Sequence, residues 1–303
     1  MTRITIISRN FARESGNVKN ELIFERDQSL PGIVCQALFH SICTGTPRES
    51  SSEDKEKYFR WRLSQSAIFV NRFGGRFNFR SKSVLDFGCG SGSMCFFLAQ
   101  KGAARVVGVD IDEERVAFAR NKLESEFSNL LGKVEFALPS DLKEERFDLA
   151  VSEDCFEHYE DCVGIMKTIR LRLNPGGRVV IGFSPLWKSP YGGHIGYMTK
   201  LPWAHLLFPE RIIMRERKRY RPDENAKTFS EMRGGLNKMT YAKFIETMQT
   251  TGFRIEFLAT NVSKSKMTRF VNLIRRLPFC FEYFTKNLYA IVSPEPGRHA
   301  SYL

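Results

Sequence analysis

The sequence predicts an α/β fold, in which a mostly parallel β-sheet carries helices on both of its faces. The first observation is that short apolar runs alternate with helical segments from residue 83 onwards. The second is a glycine-rich turn that follows the first of these runs and leads into a helix. The third is that no apolar run approaches the roughly 18 to 20 residues that a membrane-spanning helix needs. Together these features are typical of a soluble α/β protein.

The predicted strands are short, apolar and separated by helical segments. In chain order they comprise residues 84–87, 105–110, 133–137, 147–152, 178–183, 253–259 and 287–293. The predicted helices comprise residues 53–73, 93–101, a segment that begins after Asp112, residues 161–173, and a segment from Thr240 to about Gly252. Asp112 and Thr240 are predicted N-caps, because a short polar side chain can accept a hydrogen bond from the first turn of a helix.

Composition and cysteine usage are those of an ordinary soluble protein. The chain has 303 residues, of which 42% are hydrophobic and 26% are charged. The N-terminus lacks the long apolar stretch of a signal peptide. The seven cysteines include no C-x-x-C pair, so we expect reduced thiols, a cytoplasmic location and no metal site.

The net charge of +12 is concentrated in part in two stretches, residues 211–221 and 264–276. Basic stretches attract nucleic acid, an anionic membrane surface or an acidic substrate. Charge runs also occur simply as solvated surface, and the sequence leaves both interpretations open. A peripheral membrane contact through these stretches is one expectation, whereas nucleic acid is the less favoured partner.

Residues 84–93, with the sequence VLDFGCGSGS, form the most informative segment. Gly88, Gly90 and Gly92 lack side chains where a strand leads into a helix, so a ligand can approach the backbone closely. Asp110 stands at the end of the next strand, where a carboxylate can accept hydrogen bonds from both hydroxyls of a ribose. The two features together predict a cofactor that contains a nucleoside.

The loop reads D-x-G-x-G-x-G rather than the G-x-G-x-x-G of dinucleotide-binding proteins. It resembles the first motif of the class I S-adenosylmethionine-dependent methyltransferases. Segments similar to three further motifs of that family follow in order, at residues 106–112, 147–158 and 173–183. The pair Glu157–His158 resembles the corresponding residues in the ubiquinone-biosynthesis-like branch of this family, whose members act on small molecules. The resemblance covers roughly residues 80–186 and 239–293, and it implies a Rossmann-like sheet of seven strands with an antiparallel final strand.

The resemblance implies that several residues bind S-adenosylmethionine. Asp86 would lie near the amino group of the cofactor, Asp110 would hold its ribose, and Ile111 would pack on its adenine. The residues implied to bind the cofactor are Asp86, Gly88, Cys89, Gly90, Gly92, Asp110, Ile111, Asp141 and Glu153. Asp141 is the candidate for the adenine amino group, although an aspartate in this loop can equally cap a turn.

The methyl group of this cofactor is already activated, so the protein must position the acceptor and, for a hydroxyl or an acidic carbon, remove its proton. Histidine is the usual base near neutral pH. His194, in the segment SPYGGHIGYM, is the leading catalytic candidate, and His158 and Tyr191 are the others. Each histidine has a structural alternative, because His158 can pack beneath the cofactor and His194 can bond a neighbouring carbonyl.

The chain divides into four predicted parts. They are an N-terminal helical cap region (1–80), a cofactor-binding core (81–186), a lid or substrate insertion after the fifth strand (187–238) and the completion of the core sheet (239–303). The insertion is rich in tryptophan, tyrosine and proline, which suits a semi-rigid apolar wall for a substrate. Gly192 and Gly193 would let it bend over the cofactor as a lid.

The predicted function is transfer of a methyl group from S-adenosylmethionine to oxygen or carbon of a small, apolar or lipid-like metabolite. An RNA methyltransferase is one alternative, because the chain is basic. Against it, the fourth strand ends in SEDC rather than in an N-P-P-Y type of motif, and no RNA-binding module is visible. A non-catalytic cofactor-binding module is the other alternative, which the intact glycine loop and Asp110 argue against.

Overall fold

The computed structural model describes residues 30–45, 52–262 and 266–296. The strands are β1 (Ser83–Phe87), β2 (Arg105–Val109), β3 (Val134–Ala137), β4 (Phe147–Glu153), β5 (Leu173–Phe183), β6 (Phe253–Thr260) and β7 (Leu288–Pro294). The helices are α1 (Leu30–Ser41), α2 (Ser52–Asn71), α3 (Ser93–Gln100), α4 (Glu113–Ser125), α5 (Cys162–Leu171), α6 (Ala204–Leu207), α7 (Glu210–Arg217), α8 (Tyr241–Thr250), α9 (Lys266–Ile274) and α10 (Cys280–Tyr283). None of the helices described in these ranges is long and apolar enough to cross a membrane.

The strand order across the sheet is β3–β2–β1–β4–β5–β7–β6. The first five strands are parallel, and β7 lies antiparallel between β5 and β6. This confirms the predicted seven-stranded, mostly parallel sheet with an antiparallel final strand. The strand order reverses at β1, which lies between β2 and β4. The loops after β1 and β4 therefore open a crevice at the carboxyl edge of the sheet, where sheets of this kind bind ligands.

The central strands are buried on both faces, which is why they read as continuous apolar runs. Successive side chains of a strand point to opposite faces of the sheet. Val84 and Val106 accordingly pack in a cluster with α2 and α3. Leu85 and Val107 pack in a second cluster with α5 and α8. The sheet is therefore a rigid platform for the crevice at its edge.

Both predicted N-caps are confirmed. Asp112 Oδ1 accepts a hydrogen bond from Arg115 N–H (3.2 Å) at the start of α4. Thr240 Oγ1 accepts one from Lys243 N–H (3.1 Å) at the start of α8. Each bond satisfies one of the N–H groups that a helix leaves free at its beginning.

Residues 184–240 form an insertion between β5 and α8. A third apolar cluster joins this insertion to α1 rather than to the sheet. Phe39 of α1 is fully buried, and its ring centroid lies 4.7 Å from that of Phe208. Within the predicted N-terminal cap region, α1 thus packs on the insertion, whereas α2 packs on the sheet. The four-part division of the chain stays a prediction.

Candidate functional site

The glycine loop has a backbone that favours glycine. Gly88, Gly90 and Gly92 have φ angles of 84°, 55° and 82°. A Cβ added to Gly88 would lie 2.6 Å from Cys155 Sγ. A Cβ added to Gly92 would lie 2.5 Å from the ring of Phe136. At Gly90, in contrast, nothing lies within 4 Å of an added Cβ, so its backbone is open to a ligand.

Asp110 lies beside the open glycine. Its Oδ2 accepts a hydrogen bond from Gly90 N–H (2.7 Å), and its Oδ1 accepts one from Asp112 N–H (2.9 Å). A carboxylate offers about four acceptor positions, so about two remain. Two remaining acceptors match the two hydroxyls of a ribose, which supports the role predicted for Asp110.

Asp86 is buried at the end of β1. Cys95 Sγ donates a hydrogen bond to its Oδ2 (3.1 Å). Burial raises the pKa of Asp86 to about 6, although the bond from Cys95 and the charge of Arg62 oppose the rise. A cation bound beside this carboxyl group would favour its ionised form, and the amino group of S-adenosylmethionine is such a cation.

Arg62 of α2 reaches the same edge of the sheet. Its Nη2 lies 2.9 Å from Glu153 Oε2, and its Nη1 lies 2.7 Å from Asp154 Oδ2. Burial raises the pKa of Glu153 to about 8, against the lowering effect of Arg62. Sequence reasoning missed Arg62, which is 92 residues from Asp154 along the chain. The available signal was its position three residues after Phe59, which places a cation on the buried side of a predicted helix.

The remaining cofactor candidates differ in exposure. Ile111 is 84% exposed, which leaves its aliphatic surface available to a planar adenine. Asp141 ends an exposed 3-10 turn, where its Oδ1 accepts a hydrogen bond from Ser140 Oγ (3.1 Å). This bond leaves both interpretations of Asp141 open. Cys89 is buried within the loop.

The crevice is acidic although the protein as a whole is basic. Asp86, Asp110 and Glu153 are all buried at this edge, whereas the net charge of the chain is +12. A buried carboxylate is unfavourable unless a cation or hydrogen bonds compensate it. S-adenosylmethionine carries a sulfonium and an ammonium group, so the residues present fit this cofactor.

Two imidazoles lie against each other where the insertion meets the loop after β4. The rings of His158 and His194 are nearly perpendicular, with centroids 5.3 Å apart. His158 Nδ1 lies 2.6 Å from Gly235 O. A carbonyl oxygen can only accept, so this nitrogen carries the hydrogen. In the neutral ring, Nε2 is therefore left as a hydrogen-bond acceptor.

His194 is under more local constraint than His158. Its φ of 54° lies in the left-handed region that favours glycine. Its Nε2 is buried and has no hydrogen-bond partner within the described part of the chain. Burial, together with the charges of His158 and His205, lowers the pKa of His194 to about 4. The ring is therefore neutral near pH 7 and has one unsatisfied polar atom, which folded proteins seldom leave without a partner.

Glu157 precedes His158 and was not named as a site residue from the sequence. It is 3% exposed, and its Oε2 has no hydrogen-bond partner in the ranges that the structure describes. Burial raises the pKa of Glu157 well above its usual range. Burial therefore favours the neutral form of this carboxyl group, which can donate a hydrogen bond. The Glu157–His158 pair was the signal that could have pointed to it.

The segment before His194 contains an exposed tyrosine and two tightly packed glycines. Tyr191 is 43% exposed, and its hydroxyl donates to Lys200 O (3.4 Å). A Cβ added to Gly192 would lie 2.0 Å from Trp187 O. A Cβ added to Gly193 would lie 2.4 Å from His205 Cβ. In this conformation the two glycines allow close packing of the segment that carries His194.

The comparisons with known proteins agree with this geometry. Residues 78–187 match the model of a family described as a methyltransferase domain. The ubiquinone biosynthesis O-methyltransferase of Pseudomonas fluorescens (strain SBW25) is 30% identical over 138 residues, which are 45% of this chain and 58% of that protein. The ribosomal protein L11 methyltransferase of Burkholderia mallei (strain NCTC 10229) is 31% identical over 100 residues, which are 33% of this chain and 31% of that protein.

The chain thus spans little more than half the length of the first of these relatives. A crystal structure of an S-adenosylmethionine-dependent methyltransferase from Mesorhizobium loti has a TM-score of 0.50 and 19% sequence identity, over 76% of this chain and 99% of that one. At this identity the likeness concerns the fold alone. The predicted family and cofactor are confirmed by the matched domain, its order of strands and its acidic crevice. Residues 78–187 match a methyltransferase domain, in agreement with the predicted family and its cofactor.

Proposed function

We propose that this chain transfers a methyl group from S-adenosylmethionine to oxygen or carbon of a small, apolar or lipid-like metabolite. The observation that carries the proposal is the buried, unpartnered Nε2 of His194 beside His158, whose own hydrogen is held at Nδ1. An acceptor hydroxyl would accept a hydrogen bond from Nε2 of His194, in the tautomer that carries its hydrogen there, and would lose its own proton to Nε2 of His158. The cofactor supplies an activated methyl group, so the chain needs only to orient the acceptor and hold its proton.

The cofactor side of the crevice would bind S-adenosylmethionine through four groups. The backbone of Gly90 is open, and Asp110 has acceptors left for the ribose. Asp86 would pair with the amino group, and the guanidinium of Arg62 would pair with the carboxylate of the cofactor. Arg62 is already held at this edge by Glu153, so little reorganisation is needed.

On the acceptor side we assign the proton to His158 Nε2. The Gly235 carbonyl fixes the tautomer of His158, so its free nitrogen is always the acceptor. His194, with a pKa of about 4, is a poor base for a reaction near neutral pH. We therefore propose that His194 forms a hydrogen bond with the methyl acceptor. Tyr191 is a further candidate for a hydrogen bond with the acceptor.

An apolar acceptor is supported by the insertion. Trp187 lies against His205 and Phe229, with ring centroids 4.8 Å and 4.9 Å away. The domain match alone does not select an acceptor, since one relative is named for ubiquinone biosynthesis and another for a ribosomal protein. The insertion and α1 are the parts of this chain that would distinguish its acceptor.

The test is methyl transfer from labelled S-adenosylmethionine to pools of phenols, lipids and glycans. We expect His158→Gln and His194→Asn to lower turnover by about a hundredfold, while the affinity for S-adenosylhomocysteine stays within about twofold of wild type. Asparagine is chosen at 194 because it tolerates a left-handed backbone. His205→Gln is the matched control, since His205 lies in the same insertion but already bonds Trp187 O (2.6 Å).

Three outcomes would contradict parts of the proposal. Wild-type turnover in both variants would remove the imidazole pair from the mechanism. Binding of the cofactor without transfer to any pool would favour the non-catalytic module. Failure of the folded protein to bind either form of the cofactor would exclude methyl transfer altogether.

A further inference from the structure

We propose that the segment between β6 and β7 docks on the surface of an anionic lipid bilayer. This β6–β7 segment comprises α9, α10 and the turn between them, residues 266–284. The inference goes beyond the methyl transfer proposed above and does not depend on it.

The β6–β7 segment presents a cluster of large apolar side chains to solvent. The exposed ones are Phe270, Leu273, Leu277, Phe279, Phe281 and Tyr283. Phe279 is 94% exposed and has a φ of 64°, which is uncommon for a bulky residue. A contiguous exposed apolar patch marks contact with a partner or a membrane.

Between residues 268 and 277 the exposed residues share one side. They are Arg269, Phe270, Leu273, Arg276 and Leu277. At about 100° per residue these positions fall within an arc of about 120°. Arg276 N–H donates to Leu273 O (3.1 Å), which continues the helical turn past the end of α9. An apolar stripe flanked by basic residues is the pattern of a helix that lies in a membrane interface.

The charge of the segment complements an anionic surface. Residues 261–281 contain no acidic residue and five basic ones, Lys264, Lys266, Arg269, Arg275 and Arg276. The next acid, Glu282, forms an ion pair with Lys188. Each basic side chain close to an anionic membrane strengthens binding about fivefold.

The exposed side is held in place by the body of the protein. Arg275 Nη2 donates to Thr260 Oγ1 (2.7 Å) at the end of β6. Asn261 Nδ2 donates to Phe284 O (2.7 Å). The ring of Phe284 also lies 5.2 Å from that of Trp203, in the insertion. A bilayer bound here would therefore lie beside the insertion that we propose to hold the acceptor, and this last point alone rests on the proposed function.

In the other basic stretch, residues 211–221, part of the charge is used in ion pairs within the protein. Arg217 is buried and forms an ion pair with Glu224. Arg219 forms one with Glu216. Of the two stretches that the sequence singled out, the one at 264–276 thus carries the exposed apolar side chains as well as the charge.

A bilayer fits this surface better than a second copy of the chain. A symmetric dimer through the β6–β7 segment would bring together two surfaces that are mainly basic, because Glu282, the one acid of the segment, is paired with Lys188, and such a contact is unfavourable. Nucleic acid would satisfy the charge but would leave the leucines and Phe279 in water. An anionic lipid surface satisfies both.

The test is flotation of the full chain with vesicles of pure phosphatidylcholine and with vesicles that contain about 30% phosphatidylglycerol. We expect binding to the anionic vesicles only, with loss at high salt. Arg269→Glu/Arg276→Glu should weaken it more than about tenfold, and Phe279→Ser should weaken it at least about threefold. Phe279→Ser is the sharper variant, because a side chain with 94% exposure contributes little to folding.

Matched controls come from exposed residues elsewhere. Arg80→Glu/Lys101→Glu changes the net charge by the same amount, and Leu131→Ser removes an exposed leucine. These controls should bind as wild type. Absence of flotation with the anionic vesicles, or equal losses in the control variants, would overturn the proposal. A dimer in sedimentation experiments that Phe279→Ser dissociates would also overturn it. So would a salt-sensitive RNA gel shift that Arg269→Glu/Arg276→Glu abolishes, if the protein does not float with the vesicles.

Discussion

The two sides of the crevice are built from different titratable groups. The cofactor side holds the buried carboxyl groups of Asp86, Asp110 and Glu153. The acceptor side holds the imidazoles of His158 and His194. Burial favours the uncharged form of both kinds of group, so it raises the pKa of Glu153 to about 8 and lowers that of His194 to about 4.

This difference indicates what each side is prepared to bind. A carboxyl group whose pKa is raised by burial, such as that of Asp86 or Glu153, gains most from a bound cation, and S-adenosylmethionine carries two cationic groups. A neutral imidazole can accept a proton or a hydrogen bond, which an acceptor hydroxyl supplies. In the proposed reaction, the crevice would therefore attract a cation on one side and remove a proton on the other.

The strongest test of the cofactor side is Asp110→Ala. We expect the affinity for S-adenosylhomocysteine to fall about a thousandfold, because the ribose hydroxyls would lose two hydrogen bonds to a charged acceptor. Titration calorimetry measures this directly. Asp110→Asn keeps the shape and should lose less, since an amide retains one acceptor oxygen.

Asp141→Ala serves as the control and also decides the open role of Asp141. A loss of about tenfold would assign it to the adenine amino group. No loss would assign it to its own turn, where Ser140 already donates to it. If Asp110→Ala still binds S-adenosylhomocysteine tightly, Asp110 does not bind the ribose.

The sequence could predict the cofactor side because the signals there are local. The apolar run of β1, the three glycines and Asp110 lie within 27 residues of each other, from 84 to 110. Each central strand is buried on both faces, so its apolar composition reveals it. The caps at Asp112 and Thr240 are equally local, and the hydrogen bonds that they predict are present.

The acceptor side depends on contacts between distant parts of the chain. The tautomer of His158 is set by Gly235, 77 residues later. α1 contributes Phe39 to a cluster whose other members lie between residues 195 and 236. No periodic pattern links such segments, so sequence reasoning found His158 and His194 but not the packing that relates them. Arg62 was missed for the same reason, because its partner Asp154 is 92 residues away along the chain.

The second prediction concerns stability and pH on the cofactor side. The pKa of Glu153 is raised when the protein is folded, so its favourable contribution is complete below about pH 4.5 and is lost as the pH rises towards about 8. Glu153→Gln should remove this slope. The difference in unfolding free energy between variant and wild type should change by about 3 kcal/mol across that window, at most about 1.4 kcal/mol per pH unit.

Urea denaturation of the ligand-free protein at pH 4.5, 6 and 8 measures this difference. Glu124→Gln, an exposed position on α4, is the control and should run parallel to wild type. If the Glu153→Gln curve also runs parallel to that of wild type, folding does not shift the pKa of Glu153, and the two sides do not differ as described.

The third prediction concerns the acceptor side, where the sign is opposite. The pKa of His194 is lowered on folding, so its contribution is complete above about pH 6.5 and is lost as the pH falls towards about 4. His194→Asn should flatten the acid limb of the stability curve by about 2 kcal/mol. Thermal unfolding between pH 4 and 7 measures it. An acid limb that is unchanged in His194→Asn would mean that burial does not keep this imidazole neutral.

The smallest effect is expected at Tyr191, and it tests how far the acceptor side extends. The Tyr191 hydroxyl donates to Lys200 O, within the insertion, and the side chain is largely exposed. We therefore expect Tyr191→Phe to lower turnover by less than about threefold, the value of one weak hydrogen bond. A loss of a hundredfold, equal to that in His158→Gln, would instead place the phenol in contact with the acceptor. The insertion would then have to move when the acceptor binds, because the bond from Tyr191 to Lys200 would have to break.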